Sequence, residues 1–395
     1  MAGKVVLYAS SGELLARYDV DVDCALLSRR EVVALPALVQ EASLHPSGRY
    51  LYVAWSNGIP VGGDLHGLSA FSLDPVSGVL RPHGGATALR SRPIDVTTDQ
   101  TGSHVLVAYN NPSGVTVHRI LPDGSVGSEV KQSSPLDGGI YGHQVRVDPS
   151  NKSVILVTRG NGPAAGKAED PGALKIFDYK DGVLANKVSI APGGGLDFQS
   201  RHMDFDPAGD WVYVTLERQN KLHVYERRAD GTLGREPVFV KSTLAAPHDV
   251  RPRQMAGSIH VHPDGRFVYV ANRADTTTAS EGRNVFAGGE NSIAVYQIHK
   301  TSGEPKLIQT IDTRGIRPHT FAIDSIGRIL VAANSKSLPV LDGGRVVTVP
   351  ASLAVFRIRD DGCLEFVQSY DVELSDKGMV NWMGIVSLPE YGPRR

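Results

Sequence analysis

The chain has 395 residues, with 41 Lys and Arg against 42 Asp and Glu, a formal net charge of -1, and only 2 Cys. This balance excludes a disulfide scaffold and a disordered tail, leaves no basic footprint for nucleic acid, and offers no run near the roughly 18 apolar residues of a membrane span. A globular protein is expected, with neither nucleic acid nor membrane as a partner.

The opening MAGKVVLYASSGELLARYDV lacks the charged, apolar and small-residue regions of a secretory signal, so the expected location is cytoplasmic. Cys24 and Cys363 have no partner spacing and read as reduced thiols, buried as apolar fillers. The first segment, KVVLYASSGELLARYDVD, reads as the outer hairpin of a sheet.

From residue 43 onward one pattern recurs: an alternating strand, a tight turn of the form Asp/His-Pro-x-Gly, and an aromatic, β-branched strand ending in a polar residue. The copies are SLHPSGRYLYVAWSN (43–57), VTTDQTGSHVLVAYNN (96–111), VRVDPSNKSVILVTRG (145–160), MDFDPAGDWVYVTLER (203–218), IHVHPDGRFVYVANRA (259–274) and FAIDSIGRILVAANSK (321–336). Their turn residues, Gly48, Gly102, Asn151, Gly209, Gly265 and Gly327, are separated by 54, 49, 58, 56 and 62 residues. Asn is tolerated in the third copy because it also reaches positive φ.

Each copy is followed by another strand pair, such as ALKIFDYKDGVL or KLHVYERRADGTL, which makes a four-stranded unit. The tail VNWMGIVSLPEYG reads as a degenerate inner pair. Six copies and one unit assembled from both termini make seven units of about 56 residues. The expected fold is therefore all-β, a single seven-bladed β-propeller over residues 1–395, with four-stranded antiparallel blades and a ring closed by both termini.

Residues well before and well after each hairpin turn share one rim of such a ring. Eight positions before the turn residues stand Gln40, Ile94, His143, Arg201, Gly257 and His319, and eight after them Ser56, Asn110, Arg159, Glu217, Arg273 and Ser335. The middle blades concentrate three Arg, two His and a lone Glu at one opening, a set suited to an anionic substrate and a developing oxyanion.

Other motifs carry less. GNGPAA (160–165) enters a Pro-containing loop rather than a helix, so it is no dinucleotide fingerprint, and no P-loop, nucleophile elbow or zinc-protease motif is present. His260 and His262 share a strand face, but His262 belongs to the repeated turn, so no metal site is expected there. The loops 57–66, 161–172 and 276–291 follow rim residues and are candidates for deepening the mouth, the last as a lid or a specificity loop, with tolerated surface insertions as the alternative.

Three stretches, QSRHMDFDPAGDWVYVTLE (199–217), GSIHVHPDGRFVYVANR (257–273) and IRPHTFAIDSIGRILVAANSK (316–336), resemble blades of the seven-bladed β-propeller lactonase family. That family includes 6-phosphogluconolactonases and 3-carboxy-cis,cis-muconate lactonizing enzymes, and the resemblance spans about Lys4 to Leu388. It implies a metal-free, cofactor-free catalytic set of His143, Arg201, Glu217 and Arg273; Arg159, His202, Arg317 and His319 are expected beside it as substrate contacts. Many members carry Pro-Arg where this chain has Pro318-His319 preceded by Arg317, which leaves phosphate and carboxylate both open as the substrate's acidic group.

The implied activity is hydrolysis of a small anionic lactone. Arg201 and Arg273 would hold the acidic group and polarise the carbonyl, and Glu217 or His143 would activate water. The same residues suit a carboxy-muconate cycloisomerase as an alternative. A non-catalytic interaction platform is a further alternative, for which Trp55 and Trp382 are the rim aromatics to inspect.

Overall fold

The computed structural model describes residues 4–58, 62–280, 282–374 and 378–388. Seven four-stranded antiparallel sheets form the blades of a propeller. Blade 1 runs outward from the channel through Leu38–Leu44, Tyr50–Ser56, His66–Leu73 and Leu80–Ala88. Blades 2 to 6 repeat this order over residues 93–129, 142–190, 200–242, 255–312 and 316–371.

Blade 7 closes the ring, but not as two pairs. Met383–Ser387 is its single innermost strand, and Val5–Ser11, Leu14–Asp21 and Leu26–Ala34 supply the other three. The reason lies in polarity: LLSRREVVA is mostly exposed and suits the outer edge, while Met383–Ser387 pairs with Val5–Ser11 on the channel side. The closing register pairs Val5 with Ser387 and Tyr8 with Gly384.

No single kernel holds the ring together. Seven apolar clusters, one per blade–blade interface, do so, from Tyr52, Val105 and Tyr109 between blades 1 and 2 round to Val6, Leu51 and Trp55 between blades 7 and 1. Alternating strands are thus buried on both faces by their neighbours. Trp55 and Trp382 are 4% and 8% exposed within the last of these clusters, so neither is a surface aromatic.

Side chains also stitch blade to blade. Tyr52, Tyr213 and Tyr269 each donate their hydroxyl to the carbonyl of a turn glycine in the next blade, Gly124, Gly303 and Gly362, at 2.9, 2.9 and 3.0 Å, and Tyr8 does the same to Gly78. Around the channel, Asp95, Gln144 and Asp204 accept the backbone N–H of Val145, Met203 and Val261 in the following blade at 2.9, 2.7 and 2.9 Å. Tyr213→Phe is expected to lower stability by about 1 kcal/mol through the lost buried hydrogen bond. An unshifted thermal midpoint would show that this stitch contributes nothing.

The turn residues all have positive φ, from 58° at Asn151 to 76° at Gly209. Asp and His alternate at the turn start because both accept its N–H groups: Asp148 from Lys152 and Ser153, His262 from Asp264. The histidines add a bond across the interface, His45 to the Gly102 carbonyl at 3.0 Å and His262 to that of Gly327 at 2.9 Å. A Cβ at Gly102 or Gly327 would collide with that imidazole, so glycine is required there twice over. Cys24 is exposed and Cys363 half-buried, contrary to the expectation of buried fillers, because both lie in outer hairpin turns beside Asp21 and Asp361.

Candidate active site

The residue eight places before each turn residue proves to be a bulge. In blades 1, 2, 3, 4 and 6 the innermost strand slips register at Gln40, Ile94, His143, Arg201 and His319. A bulged residue has no partner in the ladder and its side chain is re-aimed. Here all five line a cavity of about 300 Å³ at the channel mouth. Blade 5 bulges between Ala256 and Ile259 and contributes Ser258.

Opposite the bulges, Arg159 and Glu217 directly follow the second strands of blades 3 and 4, Ser153–Thr158 and Trp211–Leu216, and Arg273 ends that of blade 5. Glu217, its side chain 5% exposed, is the anchor of the site. Oε2 accepts from Arg159 Nη1 at 2.7 Å, and Oε1 meets Arg201 Nε at 3.3 Å and also accepts from Arg273 Nη2. Arg159 lies 4.1 Å from the Tyr141 ring centre, which steadies its guanidinium.

Three imidazoles border this fan. Arg273 Nη1 stands 3.0 Å from His319 Nδ1, Arg201 Nη1 stands 3.2 Å from His202 Nδ1, and the rings of His143 and His202 are 5.1 Å apart. All eight residues expected from the sequence therefore line one cavity. Arg317 faces it but is paired with Asp275, which also holds Arg253 at 3.4 Å.

Burial would raise the Glu217 carboxyl, but the charges of Arg273, Arg159 and Arg201 outweigh it and hold the group far below the usual carboxylate range. Burial, reinforced by Arg201, pushes His143 and His202 well below an ordinary imidazole. Burial and Arg273 do the same to His319. Burial lowers Arg201 to about 10, which still leaves it cationic near neutrality. Burial lowers Arg273 as well, and these directions favour an ionised Glu217 beside neutral His143, His202 and His319.

Sequence reasoning missed a second tier. Glu41 and Asp95 follow the bulge residues by one position, and Arg146 lies near both. Burial raises Asp95 to about 6, and burial with the Asp95 charge raises Glu41 well above its usual value. Arg92, Tyr141, Arg253 and Asn381, from segments joining one blade to the next, also line the cavity unpredicted.

The three loops expected to deepen the mouth contribute no lining side chain among the described residues. They join second to third strands, further from the channel, and residues 59–61 and 281 of these loops lie outside the described set. Within the 276–291 loop, Thr277–Ser280 and Arg283–Phe286 pair as an accessory hairpin. His262 is occupied by its turn, and no group of three His, Cys, Asp or Glu suited to a metal is present among the described residues. A larger hollow of about 1150 Å³ opens at the turn-bearing end between blades 4 and 5. Two ion pairs cross its lining, Lys241 with Glu304 and Arg266 with Asp264, both at 2.6 Å, and none of the eight residues expected from the sequence lines it.

These features define a propeller that carries a small-molecule site at its channel mouth, built from bulges and strand ends. The family model described as lactonase, 7-bladed beta-propeller matches residues 5–341, and the chain belongs to that family. It is 28% identical over 306 residues to the 6-phosphogluconolactonase of Bacillus subtilis (strain 168), covering 73% of this chain and 78% of that protein. Against the 6-phosphogluconolactonase of Pectobacterium carotovorum it is 27% identical over 318 residues, covering 79% and 82%. In fold it matches the periplasmic gluconolactonase of Pseudomonas aeruginosa with a TM-score of 0.71 at 20% identity, over 98% of this chain and all of that one. A Lactobacillus plantarum protein gives 0.71 at 18% identity, over 97% and 98%.

Proposed function

We propose that the chain hydrolyses a small anionic sugar lactone, of the 6-phosphogluconolactone kind, to the hydroxy acid. The observation that carries this reading is the fan of Arg159, Arg201 and Arg273 fixed on Glu217 beside neutral imidazoles. Preorganised guanidiniums stabilise the oxyanion that forms when water attacks a carbonyl carbon, and they need no reorganisation to do so. Family membership supports the same reaction class.

In this scheme Arg201 and Arg273 face the carbonyl oxygen and Glu217 holds them in place. Glu217, tied to three cations, is a poor base. His143, neutral and with Nδ1 unpartnered among the described residues, takes the proton from the attacking water. The ring C–O bond then breaks, the ring oxygen leaves as a hydroxyl with the proton His143 returns, and the new carboxylic acid ionises.

That ionisation is the readout. In weak buffer, a phosphorylated or carboxylated sugar lactone should release one proton per turnover, and the rate should be unaffected by a chelator. Absence of turnover on every lactone, with isomerisation of a carboxy-muconate instead, would overturn the hydrolase reading. We place the enzyme in a reducing compartment, the cytoplasm, a reading supported by its two free thiols.

A further inference from the structure

Six arginines line the cavity, and five are engaged by the protein's own carboxylates: Arg159, Arg201 and Arg273 by Glu217, Arg253 and Arg317 by Asp275. The sixth, Arg92, stands just before the inner strand of blade 2 and has no carboxylate partner among the described residues. Its Nε donates to Gln40 Oε1 at 2.8 Å. Gln40 is 6% exposed, sits at the bulge of blade 1, and is itself fixed by donating Nε2 to the Leu38 carbonyl at 2.9 Å.

The guanidinium plane is therefore set, and its two Nη groups are left without a protein acceptor among the described residues. A fixed fork of this kind receives a carboxylate or phosphate through two parallel charged hydrogen bonds. Arg92 is half-buried, and that burial lowers its basicity. Blade 2 is two blades from Glu217 and three from Arg273, and it adjoins blade 3, which carries His143 and Arg159, so Arg92 stands on the far side of these from Arg273.

We propose that Arg92, oriented by Gln40, anchors the acidic group of the substrate on the blade 1 and blade 2 side of the cavity, away from Arg273. This rests on the reading that the Glu217 cluster receives the lactone carbonyl. It leaves Arg201 and Arg273, already held by Glu217, to face the lactone carbonyl. Gln40 is a positioning residue.

The test compares wild type, Arg92→Gln and Arg92→Lys on a neutral sugar lactone and on the same ring carrying a phosphate or a carboxylate. Arg92→Gln is expected to raise KM for the charged lactones about 10–100-fold, the effect of losing a two-pronged charged contact. Its kcat and its action on the neutral lactone should stay within about twofold, and Arg92→Lys, a point charge without the fork, should recover only part of the loss. The charged lactone showing the larger loss identifies the acidic group. Equal losses on charged and neutral lactones, or none on the charged ones, overturn the anchor.

Binding of inorganic phosphate by calorimetry separates this proposal from the lactonase reading. If wild type turns over no lactone yet Arg92→Gln weakens phosphate tenfold or more with an unchanged thermal midpoint, the anchor stands and only the reaction is wrong. Unchanged phosphate affinity in that case overturns the anchor as well.

Discussion

Glu217→Gln is expected to abolish turnover and to remove about 3 kcal/mol of stability, because three guanidiniums that are largely withdrawn from water lose their shared counter-charge. The side chains of Arg201 and Arg273 are 3% and 5% exposed, so solvent compensates them little. Phosphate or sulfate should raise the thermal midpoint of the variant more than that of wild type, since an anion entering the fan replaces the missing charge and stabilises only the folded state. A variant that is inactive yet melts like wild type, with no differential response to anions, would remove Glu217 from the anchoring role and return it to direct chemistry.

The pH dependence of this contribution has a definite sign. The folded carboxyl titrates below its usual value of 4.5, so its stabilisation is fully present above that value and is lost only as pH falls through the lower folded one. Between pH 5 and 9 the difference in stability between wild type and Glu217→Gln should therefore be flat with respect to this group. A difference that shrinks on passing below pH 6 would mean that Glu217 titrates like an exposed carboxyl.

His143→Gln is expected to reduce kcat about 10²–10⁴-fold, the usual worth of a positioned base. KM and thermal stability should change little, because Nδ1 of His143 has no protein partner to lose among the described residues. The base acts when neutral and its conjugate acid is depressed, so kcat/KM should hold level as pH falls through 6.5 and decline only at lower pH. An anionic substrate raises that value, so the acid limb of kcat should lie at higher pH than that of kcat/KM. A kcat/KM limb centred near 6.5, or one that survives His143→Gln, would point to another base.

The repeat made much of the architecture readable. Six turns with Gly or Asn at positive φ, each between a period-two strand and an aromatic one, permit only hairpins, and their regular spacing permits only a ring of like sheets. Spacing from those turns also reached His143, Arg159, Arg201, Glu217, Arg273 and His319, because a hairpin places residues equally far from its turn on one rim. The division of blade 7 into three strands and one was not readable in this way, since neither terminus carries the repeated turn.

Pairing and burial were decided in three dimensions. The repeat could number the rim residues but not show that they are bulges, because a bulge exists only relative to the register of the strand beside it. Arg92 and Asn381 escaped the spacing argument because they lie in connections between blades, which have no fixed distance from a turn. The sequence by itself determined a seven-part β-ring and the residue types at its rim, through local turn chemistry and period-two alternation. Only the tertiary structure decided that Glu217 would hold three arginines while Arg92 has no carboxylate partner among the described residues. Which charges meet depends on side chains from blades as much as 58 residues apart in the chain, brought within 3.3 Å of one carboxylate.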